Sequence, residues 1–219
     1  MSAFFVFKGP CRILLTGLFL PVCVALFTGC VATGKPQLHV ANYLLEYPAP
    51  VFENPARIDD TVKVNRFTIA TAYNSTNMIF RPHDYAVDSF NYNRWAVNPA
   101  DMVGDNLLRD LKSGGLFRAA FSRYAVDEGR YIVQGGIEEF FLKLDKDAKT
   151  AVLSLDITLQ DIKQREATKR FLFQKKYRQE EALAEQSPGG YCRAMSRAMQ
   201  KLSRQIIDDI YQAAKAAEK

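Results

Sequence analysis

Only two histidines occur in the 219 residues, His39 and His83, and neither has a cysteine or a second histidine at metal-ligand spacing. Zinc chemistry is not expected, and no metal or cofactor is called for. Two pairs of neighbouring carboxylates, Glu138-Glu139 and Asp208-Asp209, have the residue types for acid and base work. The first pair lies in a stretch that alternates like a strand, where neighbours face opposite ways and cannot share one proton. The second falls on the polar side of a helical pattern. Both read as surface charge. The chain has no G-x-S-x-G, no Walker-type loop and no G-x-G-x-x-G. "DKDAK" (residues 145–149) lacks the later acidic ligands of a calcium loop and reads as a solvated turn. The chain is expected not to be an enzyme.

The thiols carry more information. Of four cysteines, Cys11 and Cys23 lie in a segment unlike the rest of the chain. Residues 1–29 hold two basic side chains, Lys8 and Arg12, no acidic one, and an apolar centre from 13 to 27 broken by Pro21. That apolar part is about fifteen residues, short of the roughly twenty a bilayer core demands, so the segment reads as an export signal. It ends in "LFTGC", which resembles the lipobox of lipoprotein signals, with Phe27 where leucine is usual. The resemblance implies cleavage before Cys30 and acylation of its sulfur; an ordinary cut after Ala32 is the alternative. Val31 follows Cys30 where an inner-membrane lipoprotein of enterobacterial type carries aspartate, which implies the outer membrane. Cys192 is then left without a partner and is expected to be a packed, inert helix residue.

Loss of Lys8 and Arg12 lowers the 29 basic side chains by two, against 24 acidic ones, a net charge of +3. No basic run with interleaved aromatics appears, so nucleic acid is not an expected partner. Residues 30–37 are short, small and interrupted by Gly34 and Pro36. They read as a lipidated tether, and the seven residues after Cys30 reach about 25 Å when stretched. The remaining 38–219, in a chain that is 48% hydrophobic, suffice for one folded domain.

Elements follow from periodicity. Residues 38–47 have partial alternation and read as a strand; 61–70 shift phase midway, as a bulged strand would. Residues 77–81 and 84–96 read as two arms of a hairpin around Pro82 and His83. Asn98-Pro99 starts a helix that "SGG" (113–115) ends, and Ser187-Pro188 starts a second that runs to about Ala217. Residues 115–124 are ambiguous, with a short strand one reading. Residues 130–144, 150–162 and 169–178 alternate and form a meander; Gly135-Gly136 inside it marks a bulge or a close approach. The expected fold is α+β, a mostly antiparallel sheet with two main helices packed on one face.

Within the hairpin, "FRPHDYAVDSFNYNRWAVNP" (80–99) gathers Arg81, Tyr85, Tyr92, Arg94 and Trp95. Trp, Tyr and Arg dominate binding hot spots, so these five are candidate partner-contact residues, while the inner side chains of a hairpin also fill a core. The order of this segment, of "VNRF" before it and of "GGIEEF", "LDITL" and "AMSRAM" after it, resembles the ABC-type transport auxiliary lipoprotein family, from Tyr43 to Ile210. The resemblance implies a non-catalytic, outer-membrane-tethered periplasmic component of a lipid transport system. Its implied partners are membrane lipid through the acylated Cys30, an MCE-domain protein and an ABC transporter permease and ATPase. Direct lipid carriage, with an acyl chain held between helices and sheet, and a self-assembling homo-oligomeric scaffold are the alternatives.

Overall fold

The computed structural model describes residues 39–53, 56–145 and 148–218. The expected signal, Cys30 and the tether lie outside them. Strands β1 (Ala41–Tyr43), β2 (Ile58–Val64) and β3 (Thr68–Ile69) precede a 3-10 turn at Thr71–Tyr73. The hairpin β4 (Asn77–Arg81) and β5 (Asp88–Trp95) leads into helix α1 (Pro99–Gly114). Then come β6 (Phe117–Phe121), β7 (Tyr131–Leu144), β8 (Lys149–Asp161), a one-turn helix α2 (Ala167–Arg170), β9 (Phe171–Ala182) and the long helix α3 (Pro188–Ala217).

The sheet is organised around β7. Its 14 residues reach about 45 Å at the usual strand rise, long enough for several short strands to lie end to end along one edge. Val62 pairs with Tyr131, Thr68 with Gly136 and Phe80 with Leu142, so β2, β3 and β4 follow one another along that edge, all parallel to β7. The other edge pairs with β8 in an antiparallel ladder from Tyr131–Asp161 to Leu144–Lys149, and β9 adds to β8. Short β6 extends from β2, and β1 from β5, both in parallel. The expected α+β class is present, and so is the three-strand meander. The pairing is mixed rather than mostly antiparallel. Parallel partners meet across long connections, and local alternation carries no record of such pairing.

Residues 61–70 hold two short strands where one bulged strand was expected, and the link between them has a packing role. Phe67 sits between β2 and β3 and lays its ring on the backbone of Gly135, where a Cβ would come within 2.3 Å of the ring carbons. Phe67 is buried and has no room to swing away. The paired glycines in β7 therefore mark a close approach.

Both long helices start as expected. The Asn98 side chain accepts from the Ala100 N–H at 3.0 Å ahead of Pro99, and Ser187 Oγ accepts from the Gly190 N–H at 3.0 Å ahead of Pro188. Helix α1 stops at Gly115, whose φ of 63° is left-handed and suits glycine. On α3 the residues Met195, Met199, Leu202, Ile206 and Ile210 are fully or almost fully buried. They meet Leu153, Leu155, Ile157 and Leu159 from the same face of β8, each pair of facing side chains removing several kcal/mol of apolar surface from water, about 1.5–3 per side chain. Among the described residues no helix is both long and apolar enough to cross a membrane.

After β1 the chain leaves the sheet and forms a strap across both helices. Cys192 Sγ donates to the Leu44 carbonyl at 3.0 Å, the Leu45 N–H to Met102 Sδ at 3.2 Å, and the Glu46 N–H to Ser196 Oγ at 3.1 Å. Tyr47 then reaches Asp110 with its hydroxyl at 2.8 Å. Of the strand expected at 38–47, only residues 41–43 among those described pair in the sheet, because the backbone groups of 44–46 and the Tyr47 hydroxyl find partners on the helices instead.

Substitution of Gly135 by alanine is expected to lower stability by about 1–3 kcal/mol through the forced displacement of Phe67. Urea midpoints of Gly135→Ala, Phe67→Leu and the double variant check it: the two changes should be non-additive, the double variant losing less than the sum.

Candidate functional site

The hairpin expected to carry the contact residues is present, and it separates them. Trp95 is 1% exposed; its ring lies 5.3 Å from Phe140 and 5.4 Å from Tyr191, both edge-on. It belongs to the core and has no surface to offer a partner, which corrects the expectation for this residue. Strand alternation puts Arg94 on the opposite side, exposed, with Nη1 donating to Asn77 Oδ1 at 2.7 Å. Tyr92 is exposed on that same side. Tyr85 stands at the hairpin tip, fully exposed, with a left-handed φ of 66° that is uncommon for a bulky residue. Arg81 is half-buried at the end of β4, its guanidinium 5.0 Å from the centre of the Phe141 ring, which in turn stacks on Tyr73 at 5.9 Å.

Arg81, Phe141, Lys143 and Arg178 border a cleft of about 410 Å³ on the face of the sheet away from the helices, closed at one end by His83 and Asp84. Most of its charges are paired. Arg178 bonds Glu139 at 2.8 Å and Glu180 at 2.5 Å, and Lys143 bonds Asp145 at 3.0 Å. Arg81 has no carboxylate partner among the described residues. The cleft thus offers one cation on an aromatic floor, an arrangement suited to a carboxylate or phosphate with an apolar neighbour. The Phe141–Tyr73 floor was missed from sequence, because alternation alone assigned Phe141 to one of two faces without saying what lay there.

The two carboxylate pairs have different surroundings from those expected. A register shift between Ile137 and Glu139 brings Glu138 and Glu139 to the same face, where Glu138 meets Lys176 and Ser154, and Glu139 meets Arg178. Asp209 accepts from the Tyr177 hydroxyl at 2.7 Å and pairs with Lys175 at 3.1 Å, fastening β9 to α3. Each of these carboxylates other than Asp208 is bound to a neighbouring strand.

Two polar nodes lie deeper. Fully buried Asp110 of α1 accepts from Tyr47 and from Ser203 Oγ of α3, the latter at 2.5 Å, and pairs with Arg109 at 2.7 Å. Burial, and then the Asp110 charge, push the Tyr47 phenol well above its ordinary value, so it remains a donor. Just before β7, Arg130 grips fully buried Asp161 through two nitrogens at 2.9 and 3.1 Å, reaches Asp60 at 2.7 Å, and donates to the Ala217 carbonyl at the end of α3. Burial beside this cluster pushes the Tyr131 phenol up to about 12. Burial also pushes the Asp60 carboxyl up, but Arg130 and Lys163 together outweigh it and hold the group below its usual range. Glu181 is likewise raised by burial and lowered more by Lys201, Gln179 and Arg197. Cys192 is half-buried, its thiol pushed up by burial, in keeping with an inert residue. Among the described residues no group of three or more metal-binding side chains gathers in one place.

One mixed sheet with two helices sealing one face and a cleft and hairpin on the other define the class: a single-sheet α+β domain with an open side. A model of the ABC-type transport auxiliary lipoprotein component matches residues 43–207, and the chain belongs to that family. The fold is shared with solved structures. A protein of Xanthomonas campestris described under the family model DUF330 has a TM-score of 0.74 at 12% identity, over 82% of this chain and 99% of that one. A hypothetical protein of Chlamydia trachomatis has a TM-score of 0.53 at 12% identity, over 72% and 99%. No curated protein matches the chain at a significant level.

Trp95→Ala should cost about 3–5 kcal/mol, whereas Tyr92→Ala should leave stability within about 0.5 kcal/mol, read as denaturation midpoints. Because Asp60 and Glu181 are depressed in the folded state, their contribution is present above their unfolded values of 3.8 and 4.5 and is lost as pH falls through the folded ones. The urea midpoint should therefore be flat from pH 7 to about 5 and fall below about 4.5, with a shallower acid slope in Asp60→Asn.

Proposed function

We propose that this protein is a non-catalytic lipoprotein held in the outer membrane by acylated Cys30, and that its domain docks the outer-membrane end of an ABC- and MCE-type lipid transport system. The observation that carries the reading is the family match over 43–207, joined to the "LFTGC" motif and short tether that precede it. The side chains support a docking role. The buried carboxylates Asp110, Asp161 and Glu181 are each bound to structural donors. Leu107, Leu111, Leu202 and Ile206, the residues that would line an acyl-chain cavity between helices and sheet, are all buried in the core.

The mechanism follows from confinement. Burial of acyl chains stabilises the anchored form by about 0.8 kcal/mol per methylene, so a multiply acylated cysteine stays in its membrane. A domain restricted to a thin layer has a raised effective concentration for any partner that arrives across the periplasm. Weak surface contacts at the open side of the sheet then suffice.

Replacement of Cys30 by alanine is expected to move the protein from the membrane to the soluble periplasmic fraction, with an unchanged denaturation midpoint and loss of lipid transport in cells. Full transport by that soluble form would refute the role of the anchor.

A further inference from the structure

The direction in which the chain enters the domain adds an orientation to this reading. β4 ends and β5 begins at the hairpin tip, residues 82–87, and β4 runs parallel to β7, so the tip lies at the same end of the sheet as the C-terminus of β7. β1 is parallel to β5, with Ala41 beside Asn93 and Tyr43 beside Trp95. It therefore runs away from the tip, and the chain upstream of Ala41 comes from the tip's side. Arg94, beside Asn42 of β1, lies opposite Asn77, and Asp88 lies opposite Phe80, so three residues of β4, about 10 Å of strand, separate the level of β1 from the start of β5. The nine residues 30–38 span up to about 30 Å. A lipid anchor on Cys30 is thus within reach of the tip.

The tip has the residues that such a surface accepts. Tyr85 is fully exposed and Val87 more than half exposed, on a turn closed by the Ala86 N–H donating to the His83 carbonyl at 3.3 Å. The backbone at Tyr85 is left-handed, which is uncommon for a bulky residue, and the ring stands in the open. Below it, the Phe80 and Phe90 rings pack 5.1 Å apart and stiffen the hairpin. Tyrosine has an apolar body and a polar tip and favours the headgroup layer of a bilayer. The charged side chains nearest the tip, Arg81 and Lys143 against Asp84, Asp88 and Asp145, carry no net positive charge, so attraction to anionic lipid is not what would hold it there. A second exposed pair, Tyr124 and Val126, lies in the loop before β7, at the far end of the sheet. Its exposure is comparable, but the chain does not enter from there.

We infer that the β4–β5 tip rests on the lipid surface that holds the anchor, with Tyr85 and Val87 in the headgroup layer and the 122–130 loop turned away from the membrane. The inference depends on the proposed acylation of Cys30.

The test uses the full lipidated chain in vesicles of phosphatidylcholine and phosphatidylethanolamine whose acyl chains carry a nitroxide quencher. In a Cys192→Ser background, which keeps the donor to Leu44, an environment-sensitive dye is attached through His83→Cys or, separately, Asp127→Cys. The expected result is at least twofold stronger quenching and a blue shift at position 83 but not at 127, both abolished by Tyr85→Ser with Val87→Ser while the protein still floats with the vesicles. Flotation with equal quenching at the two positions would overturn the orientation and leave the anchor standing. Failure of the chain to float at all would overturn both.

Discussion

A strand paired along both edges is the constraint from which the rest of the domain follows. β7 has an antiparallel partner along one side and three short parallel partners in succession on the other, so every other strand takes its place from it directly or through one or two neighbours. Its alternation sends Tyr131, Val133, Ile137, Phe140 and Leu142 toward the helices, with one shift of phase at the bulge after Ile137. The bulge is also why two consecutive glutamates share a face, a placement that regular pleating forbids. Phe67 packs on Gly135 where β7 passes from its partner β2 to its partner β3. Geometry that is settled in β7 is therefore repeated in the hairpin and in the cleft beside it.

Buried polar groups do the joining between layers. Asp110 links α1, α3 and the strap, and Arg130 links β2, the β7–β8 ladder and the end of α3. In a low-dielectric interior such groups are costly when a partner is removed, about 3–5 kcal/mol for a buried charge, so they fix which surfaces meet as well as how tightly. Neither node is near the open cleft, and this division separates the residues that hold the domain together from those that face outward.

Much of the architecture was legible because it is local. Asn98-Pro99, Gly115 and Ser187-Pro188 are short-range signals with a backbone mechanism, and the helices begin and end on them. The β7–β9 meander and the β4–β5 hairpin were legible for the same reason, since short turns join antiparallel neighbours. Parallel pairing of β2, β3 and β4 with β7 was not, because partners separated by some sixty residues leave no periodic trace. Trp95 shows the limit at the candidate site. Its residue type suggested a contact, but alternation from Tyr92 and Arg94 places it inward, and only knowledge of which face the helices cover decides between core and surface. Tyr85 is fully exposed at the tip, and its left-handed backbone had no signal in the sequence.

The strap after β1 has a mechanical consequence. A pull on the chain ahead of Ala41 along the strand axis would load the β1–β5 bonds in shear, so that they yield together instead of peeling one at a time. Behind them the ties of Leu44, Leu45, Glu46 and Tyr47 to two different helices share the same force. Tension entering ahead of Ala41 is thereby shared between the sheet and both helices instead of unravelling the first strand alone.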